Sequence, residues 1–171
     1  RSNITIDGNG YTLQGLQSRR GGNGFYLNAV NNVTIKRTNI KEFAYGVYIS
    51  NSSYNTLYEN NITNNGSTDP IIGEWFGGVY LHNSSHDNLS GNYFMANIRT
   101  GIVLDGASDV SISGNILTDN GYGVVLLRSS NSILSENNMT NNRGVGVGLF
   151  RSLNISIFRN NVTRTYATAY G

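Results

Sequence analysis

The chain has 171 residues, of which 38% are hydrophobic and 13% charged, with a net charge of +2, 27 asparagines and no cysteine. This length is typical of one domain, and the lack of cysteine excludes a disulfide scaffold, a thiolate metal site and a cysteine nucleophile. The weak, scattered charge argues against a nucleic-acid partner, and no apolar run is long enough to span a membrane as a helix. The excess of asparagine requires an explanation.

Two short patterns alternate along the chain. In the first, an apolar residue is followed by asparagine three positions later and by a second apolar residue two positions after that. It occurs at 6–11, 35–40, 57–62, 89–94, 112–117, 134–139 and 157–162, with threonine replacing asparagine in the second copy. The second pattern is a glycine with apolar residues one and three positions later, and it begins at Gly24, Gly46, Gly78, Gly101, Gly123 and Gly146. Each of these glycines lies 11 residues before the next copy of the first pattern, which indicates an internal repeat.

When the copies are aligned, four columns are apolar in every copy. The first pattern supplies the columns that begin at Ile6 and Tyr11, and the second supplies those that begin at Phe25 and Leu27. Within a copy, apolar and polar positions mostly alternate, which is typical of strands and not of helices. Because a unit of about three short strands cannot bury its apolar face alone, neighbouring copies must stack. The sequence therefore predicts an all-β fold, a single-stranded right-handed parallel β-helix of about seven coils of 22–23 residues.

The asparagine column has a physical explanation in such a fold. Asparagine tolerates the left-handed backbone conformation that a sharp turn requires. Stacked side-chain amides can also hydrogen-bond from coil to coil along the axis. We therefore expect these asparagines to form a ladder at one turn of the β-helix.

We expect residues 1–171 to form one β-helix domain that is a fragment of a longer chain. A solenoid normally needs a polar capping unit at each end, and neither end of this sequence shows one. End-to-end stacking between subunits is the alternative that the missing caps leave open.

The stretch Asn3–Leu13, which reads NITIDGNGYTL, is similar to the first coil of pectin-lyase-like β-helices. The chain as a whole more closely resembles the NosD-like, or CASH-type, family of parallel β-helix repeats. The resemblance implies the fold. That family includes accessory proteins of copper enzymes, sugar-active enzymes and surface repeat proteins, so the fold leaves the function open.

Length variation between copies is concentrated at one place, between the asparagine and the glycine. This gap is 8 or 9 residues in four copies, but 15 in the first and 18 in the third, which predicts longer loops near 13–23 and 63–77 on one edge. These loops flank a predicted outward column of Tyr26, Tyr48 and Tyr80, and the second loop carries Trp75. These four aromatic residues are candidates for stacking on sugar rings. The alternative is a purely structural role, because tyrosine favours strands and stacks well across them.

An enzymatic interpretation would have to use residues of the two loops. No column holds carboxylates in adjacent coils, and three acidic residues are expected in cross-strand ion pairs: Asp7 with Lys36, Glu59 with Arg37, and Glu136 with Arg159. A polysaccharide lyase, epimerase or hydrolase would need Glu74 or Asp69 as its acid/base. Arg19 or Arg20 would then bind the substrate carboxylate. We otherwise expect no catalytic residues.

Two histidine–aspartate pairs share columns, His82 with Asp105 and His86 with Asp109, each 23 residues apart. An imidazole beside a carboxylate can act as a general base or as an oriented metal ligand. The two pairs lie four residues apart around a turn, which is too far to converge easily on one ion. We expect ordinary surface pairing and no cofactor, with an accessory metal-binding module as the third functional alternative.

The motif Asn-x-Ser/Thr, the acceptor signal for N-glycosylation, occurs ten times. The repeat itself explains part of this number, because it places asparagine before strands that carry serine or threonine. The ten asparagines are Asn3, Asn32, Asn51, Asn61, Asn65, Asn83, Asn88, Asn138, Asn154 and Asn161. Taken together, the sequence favours a non-enzymatic, exported β-helix segment of a cell-surface glycoprotein. It would be a structural or adhesive rod that can contact a polysaccharide or glycan.

Overall fold

A computed structural model describes residues 3–16, 22–67 and 75–165. These ranges contain twenty short β-strands: β1 (Ile4–Asp7), β2 (Thr12–Gln14), β3 (Asn23–Asn28), β4 (Val33–Lys36), β5 (Asn39–Lys41), β6 (Tyr45–Ser50), β7 (Thr56–Tyr58), β8 (Asn61–Thr63), β9 (Gly77–His82), β10 (Asn88–Ser90), β11 (Tyr93–Met95), β12 (Thr100–Asp105), β13 (Ser111–Ser113), β14 (Ile116–Thr118), β15 (Tyr122–Leu127), β16 (Ile133–Ser135), β17 (Asn138–Thr140), β18 (Val147–Phe150), β19 (Ser156–Phe158) and β20 (Asn161–Thr163). Within the same ranges no helix is long and apolar enough to cross a membrane.

Every third strand belongs to the same sheet. The first sheet has the order β1-β4-β7-β10-β13-β16-β19, the second β2-β5-β8-β11-β14-β17-β20, and the third β3-β6-β9-β12-β15-β18. All neighbours pair in parallel, and each strand between the ends of a sheet contacts its equivalents in the coils before and after it. The predicted parallel β-helix is therefore confirmed. The described residues form six complete three-strand coils and the first two strands of a seventh.

The core consists of apolar side chains stacked in register inside the coils. In the first sheet Ile35 pairs with Leu57, and in the third Val47 pairs with Val79. These side chains are at most 1% exposed. Each fully buried aliphatic side chain contributes about 1.5–3 kcal/mol. The stacked interior is thus the main source of stability, as the four apolar columns predict.

The first coil departs from the predicted columns at one position. Tyr11 was expected inside the second sheet, but its side chain is 78% exposed, and Leu13 pairs with Ile40 in its place. The turn before β2 is longer here than in later coils. Asn9 and Gly10 both have positive φ, of 45° and 81°, and the Tyr11 amide donates to the Gly8 carbonyl at 2.7 Å. The assignment of Tyr11 to the core is therefore wrong.

The predicted asparagine ladder forms at the turn between the first and second sheets. Its members from the third coil onward are Asn60, Asn92, Asn115, Asn137 and Asn160. Asn115 shows the pattern of bonds. Its Nδ2 donates to the Leu89 carbonyl at 2.9 Å and to Asn137 Oδ1 at 2.9 Å, while its Oδ1 accepts from the Asn92 backbone amide at 2.9 Å.

The expected reason for asparagine at this turn is wrong in one respect. The left-handed residue is the one immediately before the ladder position, as at Glu59 and Glu136, whose φ values are 51° and 58°. None of the five ladder asparagines has positive φ. Asparagine is used here because its amide supplies both a donor and an acceptor to buried backbone groups.

A second ladder, which was not predicted, forms between the second and third sheets. It contains Asn65, Asn97, Asn120 and Asn142, and the Nδ2 of each of the first three donates to the Oδ1 of the next member. Each of these residues lies five positions after a member of the first ladder, a spacing that the sequence displays in four copies. The recurring five-residue separation is therefore the sequence signal that identifies this ladder.

On the last described strand of each sheet, members of the core columns are no longer covered. Leu149, Ile157 and Val162 are 44–47% exposed, whereas their partners Leu126, Leu134 and Met139 are fully buried. A further coil on this face would bury them. Continuation of the chain and end-to-end self-association both stay predictions.

We expect Asn115→Ala to lower the free energy of unfolding by about 3 kcal/mol or more. The substitution removes the Oδ1 that accepts from the Asn92 backbone amide and from Asn92 Nδ2, and it removes one donor to the Leu89 carbonyl. In a buried turn each such loss costs about 1–3 kcal/mol. The control is Asn138→Ala, which truncates an exposed asparagine on a neighbouring strand and should change stability by less than about 0.5 kcal/mol. Urea unfolding followed by circular dichroism measures both. Equal effects of the two variants would contradict the role of the ladder.

Candidate functional site

The outer face of the third sheet carries a row of stacked tyrosines. Tyr26, Tyr48 and Tyr80 are partners in the parallel register, as predicted. The ring centroids of Tyr26 and Tyr48 lie 5.3 Å apart, and those of Tyr48 and Tyr80 also 5.3 Å apart. Tyr26 is the open end of the row, with 56% of its surface exposed.

Two further aromatic residues, not predicted, complete this row. Tyr45 lies 5.2 Å from Tyr48 and 4.6 Å from Phe76, ring centroid to centroid. Tyr45 is the first residue of β6, where it pairs with Gly77 and immediately precedes Gly46. A Cβ at Gly46 would lie 2.6 Å from the Gly78 carbonyl oxygen, so the position admits only glycine. We call Tyr26, Tyr45, Tyr48, Phe76 and Tyr80 the aromatic platform.

The phenols of Tyr45 and Tyr80 stay protonated at neutral pH. Burial raises the pKa of Tyr45 to about 12, with a smaller contribution from neighbouring Tyr48. Burial and the hydrogen bond to Asp105 raise the pKa of Tyr80 as well. Both hydroxyl groups are therefore neutral and can donate hydrogen bonds.

A polar cluster borders the platform on the adjacent outward column. Asp105 is buried, and its Oδ2 accepts a hydrogen bond from the Tyr80 hydroxyl at 2.8 Å. Arg128 donates to the other carboxylate oxygen. His82 Nδ1 lies 3.7 Å from Asp105 Oδ2, so the predicted His82–Asp105 neighbourhood is real, and it also includes Tyr80 and Arg128. These four residues are the Asp105 cluster.

The imidazole of His82 also contacts a neighbouring side chain. Asn83 Nδ2 lies 3.2 Å from His82 Nε2, and an amide nitrogen can only donate. A neutral imidazole that accepts at Nε2 would carry its ring hydrogen on Nδ1, the nitrogen that faces Asp105. Nδ1 is buried and has no hydrogen-bond partner at normal distance.

A cleft of about 600 Å³ opens beside the Asp105 cluster, over the C-terminal coils. Its lining is Trp75, Leu127, Arg128, Leu149, Phe150 and Arg151. Leu127 and Phe150 continue the outward column of His82 and Asp105, so the cleft and the cluster are contiguous. Among the described residues Arg151 has no acidic partner within 4.0 Å, which leaves its guanidinium available to a ligand.

Trp75 lines the cleft, although the sequence pattern groups it with the tyrosine row. Its aromatic neighbour among the described residues is Tyr122, with ring centroids 6.2 Å apart. Val103 and Val125, which follow Tyr80 in the outward column, are fully buried, so the sheet is covered at these coils. The outer face therefore carries an open aromatic platform and a cleft, and the Asp105 cluster joins them through Tyr80 and Arg128.

The remaining predicted site residues are less informative. His86 stacks on Tyr54 at 4.7 Å, and no ion pair joins it to Asp109 in the described ranges. Over the same ranges, no group of three or more histidine, aspartate or glutamate side chains could hold a metal ion. The loop candidates Arg19, Arg20, Asp69 and Glu74 lie outside the described residues.

Two of the three predicted cross-coil ion pairs form. Lys36 Nζ lies 3.5 Å from Asp7 Oδ2, and Arg159 lies 3.5 Å from Glu136. Arg37 pairs with Asp7 and not with Glu59, and this hydrogen bond lowers the pKa of Asp7 to about 2. Such exposed pairs contribute little to stability.

The predicted glycan acceptors differ in accessibility. Asn65 is fully buried in the second ladder, where its Nδ2 donates to the Ile40 carbonyl at 3.1 Å and to Asn97 Oδ1 at 3.1 Å. The prediction that Asn65 is an accessible acceptor is therefore wrong for the folded chain, while Asn88 is half-buried. The exposed candidates are Asn3, Asn32, Asn51, Asn61, Asn83, Asn138, Asn154 and Asn161.

The family model described as a right-handed β-helix region matches residues 2–163. The chain therefore belongs to the right-handed β-helix family, which also confirms the predicted hand. The narrower resemblance to NosD-like repeats stays a prediction. A search of curated protein sequences finds no match.

Among solved structures, the chain is similar to the periplasmic alginate epimerase AlgG. A single mutant of that protein aligns with a TM-score of 0.81 at 19% identity, covering 95% of this chain and 40% of that one. A double mutant aligns with a TM-score of 0.71 at 21% identity, covering 83% of this chain and 36% of that one. At such identities the likeness establishes the fold alone, and the chain spans well under half the length of these proteins.

Proposed function

We propose that this chain is a β-helix segment that binds a carboxylate-bearing polysaccharide along the outer face of its third sheet. The observation that carries the proposal is the contiguity of the aromatic platform, the Asp105 cluster and the cleft that contains Trp75 and Arg151. Aromatic rings offer flat apolar surfaces to sugar rings, and a guanidinium suits the planar geometry of a carboxylate. The fold-level likeness to a periplasmic alginate epimerase supports a carbohydrate ligand.

The charge of the site favours an acidic ligand. Arg128 is already neutralised by buried Asp105, whereas Arg151 has no acidic partner in the described ranges. The cleft therefore carries about one uncompensated positive charge beside the aromatic rings of Trp75 and Phe150. A sugar with a carboxylate could stack on a ring and place its charge at Arg151.

In this proposal the protein is an exported, non-enzymatic structural or adhesive segment. The long rod, the absence of stacked carboxylates in the described strands and the exposed sequons support that role. Attached glycans would project from the exposed asparagines, away from the buried ladders. Intact-mass measurement of the protein from its native source tests the glycan claim, and a mass equal to that of the bare polypeptide would refute it.

A second candidate function, proton-transfer catalysis on a uronate, is favoured by one specific observation. Tyr80, His82 and Asp105 converge beside the cleft, with a neutral phenol and an imidazole whose Nδ1 faces the carboxylate. Such a set can abstract a proton next to a carboxylate and return one, as a lyase or an epimerase requires. All three residues lie on regular strands, unlike the loop residues Asp69 and Glu74 that the sequence suggests for an enzyme.

We expect the protein to retain alginate, a polyuronate, and not dextran, a neutral glucan, in affinity gel electrophoresis. Trp75→Ala should weaken alginate binding at least about tenfold, since a central aromatic contact in a cleft contributes more than about 1.4 kcal/mol. Arg151→Ala should weaken binding and reduce its salt dependence. The control is Tyr11→Ala, which removes a 78% exposed aromatic ring far from the third sheet and should bind normally.

Failure to retain alginate, or equal loss in the Trp75 and Tyr11 variants, would contradict the proposed site. Proton NMR of the same alginate incubated in deuterium oxide separates binding from catalysis. If the wild-type protein incorporates solvent deuterium into the sugar and the His82→Gln variant does not, the result supports catalysis and contradicts a purely binding function. Binding without deuterium incorporation supports the non-enzymatic role.

A further inference from the structure

A buried carboxyl group lies in the turn between the third and first sheets. Asp87 occupies the position filled by Asn55 in the preceding coil and by Val110 and Ser132 in the following ones. At this corner, a side-chain oxygen of one coil accepts a hydrogen bond from the backbone amide of the coil before it: Val33 donates to Asn55 Oδ1, Asn55 to Asp87 Oδ1, and Val110 to Ser132 Oγ. Asp87 is the acidic member of a stack that is otherwise neutral.

The two oxygens of Asp87 have different surroundings. Oδ1 accepts from the Asn55 backbone amide at 2.8 Å and from Asn55 Nδ2 at 2.9 Å. Oδ2 is buried and has no hydrogen-bond partner, and the residue as a whole is 1% exposed. A buried carboxylate oxygen without a donor is costly when it is charged, but it can carry a proton without that cost.

The groups around Asp87 offer little compensation for a negative charge. The adjacent coils present uncharged Asn55 and Val110, and none of the ion pairs in the described ranges includes Asp87. The titratable group that acts on it is His86, the preceding residue, whose exposed ring stacks on Tyr54. Desolvation outweighs the two hydrogen bonds from Asn55 and the charge of His86, so that the pKa of Asp87 is raised to about 6.

We propose that Asp87 makes the stability of the β-helix depend on pH. Its carboxyl group is protonated in the folded chain under mildly acidic conditions and ionised at neutral pH. In the protonated form the corner is a neutral, hydrogen-bonded stack like its neighbours. Ionisation leaves a charge in the same buried turn and weakens the packing of the third coil against the fourth. The protein is therefore more stable in mild acid than at neutral pH with respect to this group.

The direction of this change in stability with pH follows from the linkage between protonation and folding. In the unfolded chain Asp87 has the ordinary pKa of 3.8, and in the folded chain a pKa of about 6. Folding favours the protonated form, so the stabilisation is complete below the unfolded value and is lost as the pH rises through the folded value. A difference of about two pKa units corresponds to about a hundredfold change in the folding equilibrium constant.

The test compares wild type with Asp87→Asn by urea unfolding across a series from about pH 4 to about pH 8. The variant keeps the size of the side chain but cannot ionise. The folding equilibrium constant of the variant, divided by that of wild type, should rise up to about a hundredfold over this range. A ratio that is independent of pH, or that falls as the pH rises, would overturn the proposal.

Asp119→Asn is the matched control, because Asp119 is an exposed acid at another turn of the β-helix. Its ratio to wild type should show no comparable dependence on pH.

If Asp87→Asn does not fold, Asp87→Ser serves as the second variant, since serine occupies the equivalent position at Ser132 and its Oγ accepts a hydrogen bond from the Val110 amide there. Carboxyl-carbon NMR of wild type labelled at aspartate then decides directly: a buried aspartate titrating near pH 6 supports the proposal, and titration of every aspartate below about pH 4.5 refutes it.

Discussion

The satisfaction of buried backbone groups at the turns is the constraint on which this structure depends. A parallel β-helix pairs its strands easily, but each turn carries amides and carbonyls that face the interior. At two of the three turns an asparagine side chain serves them, because it accepts from the coil before it while donating to the coil after it and to a carbonyl. An unpaired buried group costs about 1–3 kcal/mol, so such a ladder resists any shift of one coil against the next.

This constraint also explains where the chain accepts extra residues. Both long insertions fall between the second and third sheets, and the one in the third coil follows the ladder residues Asn60 and Asn65. Extra residues placed elsewhere would move an asparagine out of register. The exception is the first coil, which lacks a ladder residue and accommodates a longer turn that puts Tyr11 outside and Leu13 inside.

Fixed stacking in turn determines the surface. Side chains of one outward column repeat at the spacing of the coils, about 4.8 Å, which suits a row of aromatic rings. The same repetition places Arg128 and Arg151 at equivalent left-handed turn positions, with φ values of 49° and 53°. One guanidinium is held by Asp105 and the other is unpaired in the described ranges. The candidate ligand site is thus a consequence of the ladder geometry, with side-chain chemistry that varies from coil to coil.

The fold could be predicted from sequence because the repeat reports the register directly. Core columns, the first ladder and the tyrosine row all follow from a constant spacing. The site was less predictable, because it depends on side-chain contacts between different columns. Tyr45 stacks beside Tyr48, Trp75 contacts Tyr122 two coils further on, and Arg128 reaches back to Asp105. The prediction for Asn65 failed for a different reason. Its N-glycosylation motif is typical of surface residues, but here the asparagine belongs to a buried ladder.

Hydrogen–deuterium exchange of the asparagine side-chain amides, resolved by NMR, tests the central role of the ladders most directly. We expect two classes of side-chain amide. The amide groups of Asn92, Asn97, Asn115, Asn120 and Asn137 should exchange as slowly as core backbone amides, because both their donors and acceptors are buried. Those of exposed Asn51, Asn83 and Asn138 should exchange at the rate of free asparagine. Rapid exchange of all these side chains would contradict the claim that the ladders hold the coils in register.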